Sequence, residues 1–214
     1  MMEKSDAIAL LTERYPALRP VEEEIRRTVR LMIRCYESGG KVLVGGNGGS
    51  CADSEHFVGE LMKSFCRKRR IPERDAAALQ AVDPIRGKAL AEVLEGALPA
   101  IAVTGHDGLT SAFGNDKNWE MAMAQQVYGY GRPGDVFLGI STSGNSENVI
   151  NAAVCARAKG MKVAALTGKS GGALKNFADV SIIVPVQETY QIQELHLPVY
   201  HAVCLQLEEH FFEA

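Results

Sequence analysis

A histidine and a glutamate four residues apart form the first pair in the sequence that could do chemistry. They are His56 and Glu60, in the stretch Glu55-His56-Phe57-Val58-Gly59-Glu60. On a helix this spacing puts both side chains on one face. The pair could hold a divalent metal, or place a carboxylate base beside an imidazole. The same spacing is also typical of an ordinary contact on a solvated surface, and alone it favours that interpretation.

A second candidate set lies near the C-terminus, between Gln193 and His201. These two residues are eight apart and so lie near one helix face, but they are about 12 Å apart along a straight helix. They could meet one ion only if it sat between them, so the spacing alone does not establish a metal site. His196 lies between them, and we interpret it as a structural histidine whose hydrogen bonds are satisfied.

Two loops rich in glycine and serine each follow a predicted strand and precede a predicted helix. They are Gly45–Ser50 and Ser141–Ser146. Backbone N–H groups at a helix start are unpaired and carry the positive end of the helix dipole, so such loops attract anions. The second loop adds four hydroxyls that suit the acceptor oxygens of a phosphate. Glycine and serine also form plain turns and helix caps, but two such loops at equivalent places favour a phosphate site.

Neither loop carries a nucleotide-binding fingerprint. The pattern GxxxxGK[ST] is absent from the sequence, and Gly46-x-Gly48 has Cys51 where a third glycine would be needed. We therefore expect no nucleotide cofactor.

Short apolar runs at regular intervals predict the strands of a parallel sheet. They occur at 42–44, 100–103, 136–140, 163–166 and 180–184. Such runs are typical of strands buried on both faces. Segments long enough for helices separate them, for example 147–159, and apolar residues in 21–37 recur at helical spacing. This alternation predicts a doubly wound α/β fold.

Two stretches are less regular. Residues 63–98 open with the basic run Arg67–Arg70, which we interpret as solvated surface, and contain a plausible helix at 88–95. The final helix should run from about 188 to 209. Because Pro198 lies inside it, we expect a kink there, or a helix that starts properly only near Pro198.

The composition indicates a soluble, cytoplasmic protein. Of 214 residues, 46% are apolar, which excludes intrinsic disorder, and a net charge of −3 argues against nucleic-acid binding by bulk charge. Five cysteines without a CxxC pair suit a reducing cytosol. The sequence shows no signal peptide and no apolar run near the roughly 18 residues of a membrane span, so we expect no membrane partner.

Together, the motifs resemble the phosphoheptose isomerase family of the sugar isomerase (SIS) domain class. The resemblance rests on GNGGS (46–50), His56-x-x-x-Glu60, Gly114-Asn115-Asp116, STSGNS (141–146), LTG (166–168) and the run Gln193–His201. These motifs follow one another in the family's order. The likeness covers roughly Lys41 to Cys204, and the long N-terminal helix also fits.

The resemblance implies an SIS fold, a three-layer sandwich with a five-stranded parallel sheet. This domain would span 41–214, after an N-terminal helical segment at 1–40. The resemblance also implies a homotetramer with active sites at subunit contacts. The implied reaction interconverts sedoheptulose 7-phosphate and D-glycero-D-manno-heptose 7-phosphate through an enediol(ate), which is the first step toward the heptose nucleotides of lipopolysaccharide and some surface glycans.

The resemblance further implies roles for individual residues. Glu60 and His201 match the family's catalytic pair. The substrate-binding residues it implies are Asn47, Gly48, Ser50, Asp116, Ser141, Thr142, Ser143, Ser146 and Gln193. Some members hold a zinc ion, whose ligands would match His56, Glu60, Gln193 and His201. A zinc-bound carboxylate is a poorer base than a free one, so the division of labour between Glu60, His201 and the metal stays open.

Two alternatives stand beside this function. Some SIS proteins are non-catalytic modules that bind phosphosugars in regulators or bind a replication initiator. That replication protein lacks the residues matching Glu60 and His201, so their presence here favours an enzyme. The other alternative is an isomerase of a different phosphosugar. Residues 63–98 form a longer segment than in shorter family members, and this segment could cap the site or reshape its pocket and so change the substrate. The segment could equally be a surface addition at a subunit contact.

Overall fold

Five parallel strands form the sheet at the centre of the protein. The computed structural model describes residues 6–212. The strands are β1 (Val42–Gly45), β2 (Ala100–Ala102), β3 (Val136–Ser141), β4 (Lys162–Thr167) and β5 (Val180–Ile183). Their order across the sheet is β2-β1-β3-β4-β5, and all pairings are parallel. The predicted strands and the parallel α/β class are confirmed.

Helices cover both faces of the sheet. Those in residues 6–212 are α1 (Ala7–Arg14), α2 (Glu22–Glu37), α3 (Gly49–Met62), α4 (Glu73–Val82), α5 (Pro84–Val93), α6 (Asp107–Asp116), α7 (Ala122–Tyr130), α8 (Glu147–Ala158) and α9 (Thr189–Phe211). Short 3-10 segments lie at Pro16–Val21, Trp119–Met121 and Leu174–Phe177. None of the helices in this part of the chain is long and apolar enough to cross a membrane.

Alternate strand residues point into two separate apolar cores. Val42 and Val44 belong to a core that they share with residues of α1, α2, α3 and α9. Leu43, between them, belongs to a second core with residues of α7 and α8. Neighbouring residues of an extended strand face opposite sides of the sheet, and here both sides are covered. The three-layer sandwich follows, and it places α3 and α9 on the same side of the sheet.

The segment 63–98 contains a helical hairpin, where the sequence predicts only one helix at 88–95. α5 begins earlier, because the Asp83 side chain accepts hydrogen bonds from the amides of Ile85 and Arg86 and caps the helix. Gly87 lies against α4, and a Cβ there would be 2.3 Å from the carbonyl oxygen of Leu79. Gly87 is the one buried residue of the two helices. The hairpin therefore packs on itself and leaves its other faces exposed.

α9 runs continuously from Thr189 to Phe211 with Pro198 inside it. The alternative in which this helix starts only near Pro198 is therefore wrong. Proline removes the hydrogen bond that its amide would donate to the carbonyl four residues earlier. Burial of the neighbouring Val199 and Tyr200 against the core holds the helix in place across that position.

Candidate active site

The serine-rich loop joins the end of β3 to the start of α8. The hydroxyl oxygens of Ser141 and Ser146 lie 3.0 Å apart. Thr142 and Ser143 lie between them and are half-buried. Ser146 precedes α8 without capping it through its side chain, so the first amides of that helix remain available to an anion. The structure thus brings the four predicted hydroxyls to one helix N-terminus.

Gly144 fixes the shape of this loop. Its φ is +68°, and a Cβ there would lie 2.0 Å from the carbonyl oxygen of Gly171. Its amide donates to the Oγ atom of Ser141 at 3.2 Å. Because a side chain would clash with backbone, only glycine can hold the loop in this conformation.

The glycine-rich loop brings α9 to the start of α3. Gly48 precedes α3 with a φ of +55°, and Ser50 in its first turn is buried. A Cβ on Gly49 would lie 2.5 Å from Nε2 of Gln193, so the side-chain amide of Gln193 sits directly against the loop. The two predicted substrate-binding regions around Gly48 and Gln193 therefore meet.

An amide pair connects the two loops. Asn47 and Asn148 each donate from Nδ2 to the other's Oδ1, both at 2.8 Å. Asn148 lies in the first turn of α8, two residues beyond Ser146. The carboxyl ends of β1 and β3, which are neighbours in the sheet, thus form one continuous polar edge, where open α/β sheets bind ligands.

A cluster of titratable side chains lies between α3 and α9. Nε2 of His56 is 3.2 Å from Oε1 of Glu60, and Nδ1 of His56 is 3.0 Å from the hydroxyl of Tyr200. That hydroxyl donates to Oδ1 of Asp53 at 3.2 Å. The ring of His201 lies edge-on to that of His56, with centroids 5.0 Å apart. The two predicted catalytic regions thus converge, although 141 residues separate Glu60 from His201.

His201 is held in its neutral form at neutral pH. Burial lowers the pKa of its imidazole, the neighbouring His56 lowers it further, and Glu60 opposes both effects. Its Nε2 is buried and has no hydrogen-bond partner. An unpaired nitrogen beside a carboxylate is a group prepared to exchange a proton or to bind a ligand.

Known proteins resemble this chain over most of its length. The SIS domain family model matches residues 11–102 and 84–168. Phosphoheptose isomerase from Citrifermentans bemidjiense is 38% identical over 188 residues, which are 88% of this chain and 84% of that protein. This chain belongs to the phosphoheptose isomerase family. The sequence resemblance and the SIS fold are both confirmed.

Solved structures of the family superpose over most of the chain. Phosphoheptose isomerase from Neisseria gonorrhoeae has a TM-score of 0.70 at 34% identity and covers 93% of this chain and 96% of its own. The enzyme from Francisella tularensis has a TM-score of 0.73 at 34% identity and covers 89% and 88%.

The ligand set that the phosphoheptose isomerase resemblance implies for zinc is only partly assembled. In residues 6–212, no group of three or more His, Cys, Asp and Glu side chains is arranged to hold a metal ion. The side chains present nevertheless fit a zinc ion. Nε2 of His201 has no hydrogen-bond partner and could bind the metal. A hydrogen bond from Nδ1–H of His56 to the hydroxyl of Tyr200 would leave Nε2 of His56 free to bind it as well.

Asp116 stands apart from the other predicted site residues. It ends α6, is exposed, and accepts a hydrogen bond from the side chain of its neighbour Asn115. Its assignment to the substrate continues to rest on the family resemblance.

Several residues around the cluster are not singled out by the sequence analysis. Asp53 and Tyr200 orient His56, and Lys63 Nζ lies 3.1 Å from Oε2 of Glu60. Helical spacing could have found Asp53 and Lys63, which lie three residues before His56 and three after Glu60. Nothing in the local pattern marks Tyr200, because its neighbours in space come from another helix.

A buried ion pair ties the ends of α3 and α9 together. The guanidinium of Arg69 donates to Oε1 of Glu208 at 2.8 Å and to the carbonyls of Leu61 at 2.7 Å and Glu60 at 2.9 Å. Arg69 is 1% exposed, so the interpretation of the basic run as solvated surface is wrong at this residue. The carbonyls that it binds are among those that a helix end leaves unpaired, which explains why a cation is buried here.

His196 is buried as predicted, but its hydrogen bonds are not satisfied. Neither ring nitrogen has a hydrogen-bond partner of good geometry, although a backbone contact with Thr167 acts to raise the pKa. Burial lowers the pKa of the imidazole to about 4, so the ring is neutral near pH 7. It is a packing residue of α9 and not a member of the cluster around His201.

Proposed function

We propose that this protein is an aldose–ketose isomerase that interconverts sedoheptulose 7-phosphate and D-glycero-D-manno-heptose 7-phosphate. The observation that carries the proposal is the neutral, unpaired imidazole of His201 beside the pair of His56 and Glu60. Membership of the phosphoheptose isomerase family supports the substrate, since relatives that match most of this chain carry that name.

The serine-rich loop would bind the phosphate. Its hydroxyls and the first amides of α8 offer donors to several phosphate oxygens, and the helix dipole favours negative charge there. Anchoring this end fixes the substrate relative to the proton-transferring groups, which contributes through orientation. Gln193 and Asn47, at the adjoining loop, would bind sugar oxygens.

Isomerisation then needs one proton moved between carbons and one between oxygens. In our proposal the carboxylate of Glu60 takes the proton from C1 of the ketose and returns it to C2 of the enediolate. The imidazole of His201 protonates O2 and accepts the proton of O1, so the carbonyl moves from C2 to C1 and atoms balance. Lys63, whose Nζ lies 3.1 Å from Oε2 of Glu60, keeps its carboxylate oriented.

We also propose a zinc ion held by His56, Glu60, Gln193 and His201. A carboxylate has two oxygens and an imidazole two nitrogens, so Glu60 and His201 could each bind the ion through one atom and exchange a proton through the other. When bound, it would polarise the substrate oxygens as a Lewis acid. A homotetramer and a cytoplasmic location complete the proposal, the latter supported by five cysteines without disulfide partners.

Proton NMR of the purified protein with sedoheptulose 7-phosphate, with and without added zinc, tests the function. We expect an aldose signal that grows with time and grows faster when zinc is added after chelation. If no aldose forms and no substrate proton exchanges with solvent, the protein is a binding module or acts on another phosphosugar, and screening other phosphosugars decides between the two. If another phosphosugar is converted instead, the heptose assignment is wrong.

A further inference from the structure

A cleft lined by arginines lies at the edge of the sheet opposite the candidate active site. Its volume is about 410 Å³, and it lies between one face of α2 and the starts of β4 and β5. The residues that line this arginine cleft are Arg27, Arg30, Leu31, Arg34, Lys162, Asp179 and Val180. The serine-rich loop follows the opposite end of β3, so the length of a six-residue strand, about 20 Å, separates the two sites.

The periodicity of α2 puts three cations into one stripe. Arg27, Arg30 and Arg34 follow one another at spacings of three and four residues, so they share a helix face. The first and the last are about 10 Å apart along the helix axis. Leu31 and Val180 are 8% and 5% exposed, so they form an apolar floor beneath the charges. The cleft thus has an apolar floor and a cationic rim.

The carboxylate in the cleft is already engaged by other groups. Oδ2 of Asp179 accepts from the amide of Val163 at 2.8 Å and pairs with Arg157 at 3.1 Å. Its Oδ1 pairs with Lys162 at 3.3 Å. Burial would raise the pKa of Asp179, but these partners outweigh that effect and lower the pKa. Arg27 reaches only the main-chain carbonyl oxygen of Asp179, at 3.1 Å.

Positive charge therefore remains in the cleft for a ligand. Neither Arg27 nor Arg34 forms an ion pair with a carboxylate of residues 6–212. Arg30 pairs with Glu23, but these side chains are 50% and 65% exposed, and exposed pairs contribute little. Four cations against one carboxylate line the cleft, whereas the whole chain has a net charge of −3.

The arrangement fits a small anion with linked phosphate groups. Guanidinium groups bind phosphate oxygens through paired N–H donors, and here they stand at both ends of the cleft. A long polyanion fits poorly, because acidic residues bound the stripe on the same helix, Glu22–Glu24 at its start and Glu37 at its end. No aromatic side chain is among the lining residues, so a nucleobase would have no ring to stack on.

We propose that the arginine cleft is an anion-binding site for a diphosphate group, separate from the active site. Arg27 and Arg34 bind its two ends, while Arg30 and Lys162 add positive charge. The cleft volume lies within the roughly 300–1,000 Å³ of small-molecule sites. This inference goes beyond the proposed function and does not depend on it.

Isothermal titration calorimetry of the full-length protein with inorganic pyrophosphate, without divalent cations, tests the site. We expect saturable binding by the wild type. Arg27→Gln and Arg34→Gln should each bind at least about tenfold more weakly, since each loses a charge-assisted hydrogen bond. Arg74→Gln, which removes an exposed arginine on α4, is the matched control and should bind as the wild type does. No binding by the wild type, or equal binding by the variants, would overturn the proposal.

Further arms separate the cleft from the serine-rich loop and from a nucleic-acid site. Binding that persists in Ser143→Ala and weakens in Arg34→Gln supports the cleft. Binding that is lost in Ser143→Ala and kept in Arg34→Gln assigns pyrophosphate to the loop and overturns the proposal. A short single-stranded RNA that binds more tightly than pyrophosphate, through the same arginines, would also overturn it.

The outcomes also distinguish this inference from the proposed function. Arg34→Gln should isomerise sedoheptulose 7-phosphate at the wild-type rate, because Arg34 lies at the other edge of the sheet. If the wild type isomerises nothing but binds pyrophosphate through the arginines, the activity fails and the cleft stands. If the wild type isomerises the heptulose phosphate but pyrophosphate binding ignores the arginines, the cleft fails and the activity stands.

Discussion

Two histidines of α9 show how burial and neighbours give one residue type different roles. His196 lies in the core, where burial lowers its pKa and a backbone contact with Thr167 opposes that effect only in part. His201 lies five residues later, on the side of the helix that meets α3, where His56 and Glu60 also act on its pKa. The sequence places both on one predicted helix but cannot separate them, because the difference comes from α3.

The pKa of His196 predicts how stability depends on pH. The pKa is about 4 in the folded protein, below the ordinary value of 6.5. Between pH 4 and pH 6.5 the unfolded chain therefore binds a proton at this residue more readily than the folded chain does. The free energy of unfolding should therefore fall as pH drops from about 6.5 to 4, by about 3 kcal/mol from this residue.

Urea unfolding across that pH range, for wild type and His196→Leu, measures this effect. The variant should show a flatter dependence than the wild type. Parallel curves would mean that His196 has the same pKa in both states.

At the scale of elements, the contact between α3 and α9 depends on the buried pair of Arg69 and Glu208. Burial would raise the pKa of Glu208, but hydrogen bonds from the amides of Phe65 and Cys66 and from Arg69 outweigh it and lower the pKa. The carboxylate thus stabilises the turn that follows α3, and Phe65 in that turn packs against the ring of His201.

Glu208→Gln should destabilise the protein by about 3 kcal/mol. It removes the charge that faces the buried guanidinium, and one end of the new amide would present donors to backbone amides. Denaturant unfolding measures the loss, and Glu37→Gln, an exposed glutamate paired with His210, is the matched control. Equal stability of the two variants would show that the pair contributes nothing.

At the scale of the whole molecule, the sequence predicts the sheet well and the hairpin poorly. The strands are recognisable because burial on both faces makes each a continuous apolar run, as Val42–Gly45 shows. The glycine- and serine-rich loops are recognisable because glycine and serine are themselves typical of turns and helix starts. The burial of Arg69 cannot be recognised from the sequence, because it depends on Glu208, which lies 139 residues away.

The hairpin of α4 and α5 should be dispensable for folding of the domain. Its one buried residue, Gly87, packs within the hairpin, and Arg70 and Glu95 at its base already pair as an antiparallel bridge. Replacing residues 72–94 with Asn-Gly should change the melting temperature by less than about 5 °C. A much larger drop would show that the hairpin buries surface against another part of the assembly.

The most direct test of the central claim is exchange of the C1 proton of sedoheptulose 7-phosphate with deuterated solvent, followed by NMR. Glu60→Gln should slow exchange at least about a hundredfold relative to the wild type, because it removes the general base. Glu55→Gln, an exposed glutamate on the same helix, should leave it unchanged. Exchange at the wild-type rate in Glu60→Gln would contradict the account and assign proton abstraction to another group.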